Sequence, residues 1–324
     1  MIYAVIKWVT GIALHWFYRD IRIVGRDRIP ASGPLLVAVN HQNALVDSLI
    51  VGWVMPRRVA MTAKATLADN PVIALLFRIL NVVPLRRASD EVKQSGTQPL
   101  DRTRNAGAFR EILGLLAGGG AVLIFPEGKS HNETGLEPLR SGMARLAIQA
   151  RDDRKIRGVR ILPLGLVFED KGTPGTVVGA RVGLPISIDD WTGKDPAALT
   201  EEIALRLRAV SESAGLPEEN IEVEKTTARP IAEALIAISA WWGRFTHQYP
   251  IRIARALAVK KSTNADEPAM LTILFGLGFV LASYAVHLAV IGLVAHSFTL
   301  GALYLAMLIT GAYWAAFEQH PRRY

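Results

Sequence analysis

The sequence predicts an α/β domain with a largely buried sheet, preceded by an apolar helix and followed by a membrane-spanning helical hairpin. Three observations predict it. Short apolar runs at 35–39, 121–125 and 161–167 alternate with stretches of helical periodicity. Such runs, bounded by turn signals, read as buried strands of an α/β sheet. The first two runs end on polar groups, Asn40-His41 and Pro126-Glu127-Gly128-Lys129, and open α/β sheets place ligand and catalytic groups at the C-terminal ends of their strands. Finally, 270–295 and 298–317 contain no Asp, Glu, Lys or Arg, and each reaches the roughly 20 residues that span hydrocarbon as a helix.

Residues 1–19 place Ile2, Val5, Ile6, Val9, Ile12, Leu14 and Phe17 around Lys7, His15 and Arg19. This predicts a helix in a membrane interface with Trp8 and Trp16 as anchors; an amphipathic helix packed on the domain is the alternative. A short strand follows at 21–24, then a turn cluster at 30–34 and the core strand at 35–39. His41 and Asp47 sit on either side of a short, mostly apolar turn. The spacing suits a carboxylate turned back onto the imidazole, fixing one ring nitrogen and leaving the other as a base. The alternative is a polar strand end followed by a helix cap. Asp47 is expected to open a helix through Val54. A second strand over 59–62 leads to Lys64, and Asp69-Asn70-Pro71 caps the next helix.

Residues 82–85 lead to Arg86-Arg87, planar bidentate donors suited to phosphate or carboxylate, or else solvated surface charge. A mobile loop is expected at 89–99. A helix over 101–116 stops at Gly118-Gly119-Gly120. Gly128-Lys129-Ser130 has the form of a phosphate-loop tail, but that pattern needs glycine where Leu123 stands, which excludes nucleotide hydrolysis by such a loop. A helix after Arg140-Ser141-Gly142 runs to about 150, a solvated connection covers 151–160, and β segments are expected at 161–167, 176–182 and 185–188. Helices over 196–210 and 230–245 follow, the latter with Trp241-Trp242 at a membrane interface or against the domain. The organisation expected is an interface helix at 1–20, a catalytic domain at 21–213, a linker and amphipathic helical region at 214–266, a hairpin at 267–318 and a basic tail at 319–324. Lys260, Lys261, Arg322 and Arg323 flank the hairpin, so both of its ends, and the α/β domain, are expected on the cytoplasmic face. His287 inside a span reads as a polar packing residue.

The 324 residues carry 37 Lys+Arg against 29 Asp+Glu, a charge of +8, and half are hydrophobic. The basic balance suits anionic lipid or phosphorylated substrates; with such a hydrophobic C-terminus, lipid is favoured over nucleic acid. There is no cysteine, which excludes disulfides, zinc-thiolate sites and a cysteine nucleophile. The seven histidines are scattered without metal-ligand spacing. No Gly-x-Ser-x-Gly elbow is present, which argues against a serine hydrolase.

Asn40-His41 and Asp47 combined with Phe125-Pro126-Glu127-Gly128 resemble the signature of the glycerolipid acyltransferases, the family of lysophosphatidate and glycerol-3-phosphate acyltransferases. The resemblance covers roughly residues 20–190. The spacer Gln42–Val46 is one residue longer than the commonest form, and Lys129-Ser130-His131 replaces the usual Thr-Arg; both departures resemble the fungal-type glycerol-3-phosphate/dihydroxyacetone-phosphate branch. Val83-Pro84-Leu85-Arg86-Arg87 and Leu162-Pro163-Leu164-Gly165 resemble the family's other two blocks. The resemblance implies a mixed central sheet flanked by helices. It implies an acyl-CoA or acyl carrier protein thioester as co-substrate, no other cofactor, and a glycerophosphate or lysophospholipid acceptor. His41 would be the base and Asp47 its partner. Arg86, Arg87, Glu127, Gly128 and Lys129 would bind the acceptor, or in the case of Glu127 its loop. Asn40, Lys64, Arg140 and Pro163 would support the site. A lipid-binding protein with a degenerate domain is the competing class.

Overall fold

A computed structural model of the chain describes residues 2–69, 71–80, 82–86, 105–131, 135–212, 215–216, 230–262 and 267–317. The strands are β1 (Asp20–Val24), β2 (Leu35–Val39), β3 (Val59–Ala60), β4 (Thr62–Lys64), β5 (Val83–Leu85), β6 (Ala121–Ile124), β7 (Arg160–Phe168), β8 (Val177–Val182) and β9 (Ile186–Ser187). The helices are α1 (Ile2–Phe17), α2 (Ala44–Val54), α3 (Pro71–Leu80), α4 (Ala106–Ala117), α5 (Gly142–Asp152), α6 (Pro196–Ser211), α7 (Pro230–Lys261), α8 (Glu267–Ala295) and α9 (Phe298–Phe317). The readings at 87–104, among them the loop at 89–99 and the start of the helix placed from 101, lie outside the described residues, as do most of the linker at 214–226 and the tail at 319–324.

Seven strands form one mixed sheet in the order β1-β8-β7-β2-β6-β3, with β9 also on β7. β2 pairs in parallel with β6 and β7, while β7 runs antiparallel to β8 and β9. β2 is central, and all five of its residues are buried, which is why its sequence is continuously apolar rather than alternating. Its side chains still divide by parity. Leu35, Val37 and Val39 join Leu14, Phe17 and Ile50 of α1 and α2 on one face; Leu36 and Ala38 join Leu116, Leu146 and Leu199 of α4, α5 and α6 on the other. The result is a sheet between two helical layers. Local chemistry sets the helix ends. Asp195 caps α6 by accepting the Ala197 N–H at 2.9 Å, with Pro196 at its first turn. Gly119, at φ +71°, follows α4 and brings the Gly120 N–H back to the Leu115 carbonyl at 2.8 Å.

Four sequence expectations change. The strand read over 59–62 is two strands: β3 joins the main sheet, whereas β4 leaves it to pair in parallel with β5. The Thr62 hydroxyl, donating to the Leu123 carbonyl at 3.0 Å, holds this divergence in place. Arg151 and Asp152 belong to α5 rather than to a solvated connection; the Arg151 guanidinium donates to the carbonyls of Ile188, Trp191 and Gly193. The helix read over 230–245 continues through Pro250 to Lys261. A proline removes one backbone donor, but the packing of α7 against α8 and α9 carries the helix past it. At its crossing with α9, a Cβ on Gly243 would run into the Gly311 carbonyl, so two small residues set this close approach. Trp16, expected as a membrane-interface anchor, bonds within the protein: its indole donates to the Ala312 carbonyl of α9 at 3.2 Å. Leu14 and Phe17 enter the core, while Ile2, Val5 and Trp8 remain exposed.

The hairpin follows the expected course, with a turn at His296-Ser297 between two helices long and apolar enough to cross a membrane. His287 faces the Tyr304 ring across it. Its first turn is not a free-standing anchor, since Ala269 is buried in the same core as Leu35, Val37 and Val39.

Candidate active site

The sheet register assembles the site. β2 pairs with β6 so that Leu35 faces Ala121 and Ala38 faces Ile124. Continuing past both strand ends at the same offset brings His41 beside Glu127, and the His41 backbone N–H donates to Glu127 Oε1 at 2.7 Å. The two polar strand ends of the sequence are therefore neighbours because their strands are.

Beyond His41 the chain turns sharply into α2. Ala44 has φ +42°, a left-handed conformation that non-glycine residues seldom adopt. The turn carries Asp47, in the first turn of α2, back beneath the imidazole. His41 Nδ1–H donates to Asp47 Oδ2 at 2.9 Å, and the Asn43 backbone N–H donates to the same oxygen at 2.8 Å. Asp47 is fully buried, and the His41 ring stacks on Phe125 with centroids 3.8 Å apart and planes 12° apart. A carboxylate can only accept, so it fixes the proton on Nδ1 and leaves Nε2 as the acceptor nitrogen.

His41 lines a cleft of about 2090 Å³. Four cations expected from the sequence reach the same cleft: Lys64, Arg86, Lys129 and Arg140. The β4–β5 register sets Lys64 opposite Leu85, immediately before Arg86. The Arg86 backbone is clamped at both its N–H and its carbonyl by the Asn105 side chain, at 2.8 and 3.0 Å. Lys129 is more than half exposed and pairs with Glu137 at 3.0 Å. Gly128 has φ +80°, and a Cβ there would lie 3.0 Å from Arg140 Nε, so glycine suits both the turn and the approach of the arginine. Arg87 lies outside the described residues. Apolar side chains complete the lining, among them Leu45, Leu67 and Met270. Among the described residues no group of three or more His, Asp or Glu converges as metal ligands do.

Besides the fully buried Asp47, three sequence-named residues among those described do not line this cleft. Glu127 is turned inward. Its Oε1 accepts from His41, and its Oε2 accepts the Glu137 N–H at 2.9 Å and bonds the His131 ring. Both oxygens are thus engaged in holding the loop, the second of the two roles expected for Glu127. Asn40 forms a two-way amide clamp with the Leu166 backbone of β7, at 2.9 and 2.7 Å, locking the end of β2 to its neighbour. Pro163 is buried in β7 opposite Ala38.

Sequence reasoning missed the groups that brace the turn. His131 donates its backbone N–H to the His41 carbonyl at 3.1 Å, while its ring pairs with Glu127. Lys171 Nζ donates to the Gln42 carbonyl at 2.9 Å. The Asn43 amide donates to the Tyr18 hydroxyl and to the Lys171 carbonyl, both at 2.9 Å. Burial, reinforced by the Asp47 charge, pushes the Tyr18 phenol well above its ordinary range and keeps it neutral. The one available signal was the spacing of Glu127 and His131, i and i+4.

Residues 20–167 match the family model described as Acyltransferase. The chain is 22% identical over 264 residues to an "uncharacterized acyltransferase" of Schizosaccharomyces pombe, covering 58% of this chain and 39% of that one. It is 24% identical over 245 residues to glycerol-3-phosphate O-acyltransferase 1 of Saccharomyces cerevisiae, covering 52% of this chain and 32% of that one. It thus spans well under half the length of either relative. The crystal structure of a 1-acyl-sn-glycerophosphate acyltransferase from Thermotoga maritima superposes with a TM-score of 0.45 at 23% identity, covering 61% of this chain and 74% of that one.

Proposed function

We propose that the chain, whose residues 20–167 match the acyltransferase family model, transfers a fatty acyl group from an acyl thioester to a hydroxyl of a glycerophosphate acceptor, glycerol-3-phosphate or its 1-acyl derivative, at a membrane surface. One observation carries the reading: the hydrogen bond from His41 Nδ1 to the buried Asp47, on a histidine that lines the cleft.

Nε2 takes the proton of the acceptor hydroxyl as its oxygen attacks the thioester carbonyl. The carbon–sulfur bond then breaks, and the imidazolium returns the proton to the departing thiolate. Asp47 holds the ring and stabilises its charged form in between. No enzyme nucleophile is needed. The acceptor phosphate is held by Lys64, Arg86, Arg140 and Lys129, which line the cleft with His41. The wide apolar share of the lining suits an acyl chain. The apolar hairpin supports a bilayer location. With Lys260 and Lys261 ending α7 just before it, the α/β domain lies on the cytoplasmic face.

The test is thiol release from palmitoyl-CoA by detergent-purified protein, with glycerol-3-phosphate and lysophosphatidate in parallel. Release that requires an acceptor is the expected result. Release without acceptor would replace transfer by hydrolysis. No release from acyl-CoA or acyl carrier protein donors with either acceptor would leave a lipid-binding protein.

A further inference from the structure

On the acyl-transfer reading, we propose that the first turns of α8 form one wall of the acyl-chain groove and help set the donor's chain length, the chain arriving from the bilayer along a single stripe of that helix. The helix lies outside the residues matched to the family model.

Glu267 and Met270 of α8 line the same cleft as His41. They do so with Ala44, Leu45 and Ser48 of α2, the helix that begins just past the base, and α8 packs against α2. The wall is fixed in position. Ala269 is fully buried, and Met270 and Ile273 pack on the core that contains Val37 and Val39 of β2. The strand that presents His41 and the helix turn that presents Met270 thus share one packed cluster, and a displacement of either would be felt by the other.

From Met270 the apolar surface continues along the helix. Leu274, Leu277 and Leu281 follow at i+4, i+7 and i+11, a single helical face, and they are 47%, 45% and 58% exposed. No charged residue interrupts α8 after Glu267. An acyl chain withdrawn from a bilayer into water loses a favourable free energy for every methylene exposed. A continuous apolar track from the spanning helix to the cleft avoids that exposure. Where the track meets the cleft, Leu45 and Met270 face the chain. Methionine is unbranched and adaptable, so a rigid, bulkier side chain at its position should shorten the chains accommodated.

The experiment compares kcat/KM for decanoyl-CoA and palmitoyl-CoA, with the acceptor that supports thiol release held constant, in the full-length wild type, Met270→Trp, Met270→Ala and Leu293→Trp. Leu293 is exposed near the far end of α8, away from the cleft and the stripe. Met270→Trp should raise the decanoyl-to-palmitoyl ratio about tenfold, the scale on which apolar pockets discriminate. Met270→Ala should lower it, and Leu293→Trp should leave it as in wild type. If Met270→Trp does not fold, Met270→Ala decides. An unchanged ratio in an active Met270 variant overturns the proposal. So does an equal shift in Leu293→Trp. A wild type inactive with every thioester would instead sink the acyl-transfer reading.

Discussion

Two histidine–carboxylate pairs lie next to each other at the ends of β2 and β6, built from the same chemical groups. In one, His41 bonds the buried Asp47; in the other, His131 bonds the buried Glu127. They are joined through the backbone, because the His41 N–H donates to Glu127 and the His131 N–H donates to the His41 carbonyl. The difference is where the second ring nitrogen lies. His41 lines the cleft, so its Nε2 can meet a substrate hydroxyl. His131 does not line it, and its Nδ1 is buried without a hydrogen-bond partner among the described residues. The comparison teaches that a buried carboxylate beside a histidine makes a base only where the ring's other edge reaches the substrate. Elsewhere the same pair is a clamp, here one that holds the loop carrying the base.

The largest effect that could break the comparison is at His41. His41→Ala should keep its fold and lose on the order of 10³-fold or more in kcat, measured as acceptor-dependent thiol release beside a thermal melt. Asp47→Asn should follow, with kcat lower by about 10²- to 10³-fold and donor KM little changed; a variant that loses donor binding but keeps kcat would show that Asp47 shapes the pocket instead. Glu127→Gln leaves one amide oxygen where two carboxylate oxygens received the N–H groups of His41 and Glu137. It should unfold more readily by about 1–3 kcal/mol in denaturant titration, with a smaller loss of kcat than Asp47→Asn. The smallest effect is expected at Lys129. The residue is well exposed and already paired with Glu137, so Lys129→Ala should raise the acceptor KM only about threefold, in keeping with the modest worth of exposed ion pairs. An unchanged KM would remove it from the acceptor site.

How much of this was legible in the sequence depended on how local the cause was. The run Leu35–Val39 declares a buried strand by composition, and His41 to Asp47 is a span short enough for the turn to be foreseen. The hairpin is legible because hydrocarbon thickness sets a length that few other segments meet. What stayed hidden was set by pairing between distant segments. Nothing local tells that the chain changes sheets after Ala60, because β3 and β4 carry similar side chains and only their partners β6 and β5 differ. The placement of Lys64 beside Arg86 follows from that switch. Glu127 reads as a strand-end acid that could serve either the acceptor or its loop until the β2–β6 register shows that the His41 backbone occupies it. The helix read over 230–245 runs on past Pro250 because the two flanking helices supply a packing surface that local signals do not report.

The most direct measurement sets the two histidines against each other: kcat for acceptor-dependent thiol release by His41→Ala and His131→Ala, each normalised to folded protein. The account predicts background turnover for the first. For the second it predicts activity within about tenfold of wild type and a lower melting temperature, as expected when a buried hydrogen bond is lost without loss of the base. Near-normal turnover in His41→Ala, or a loss in folded His131→Ala as deep as that predicted for His41, would contradict the assignment of base and clamp.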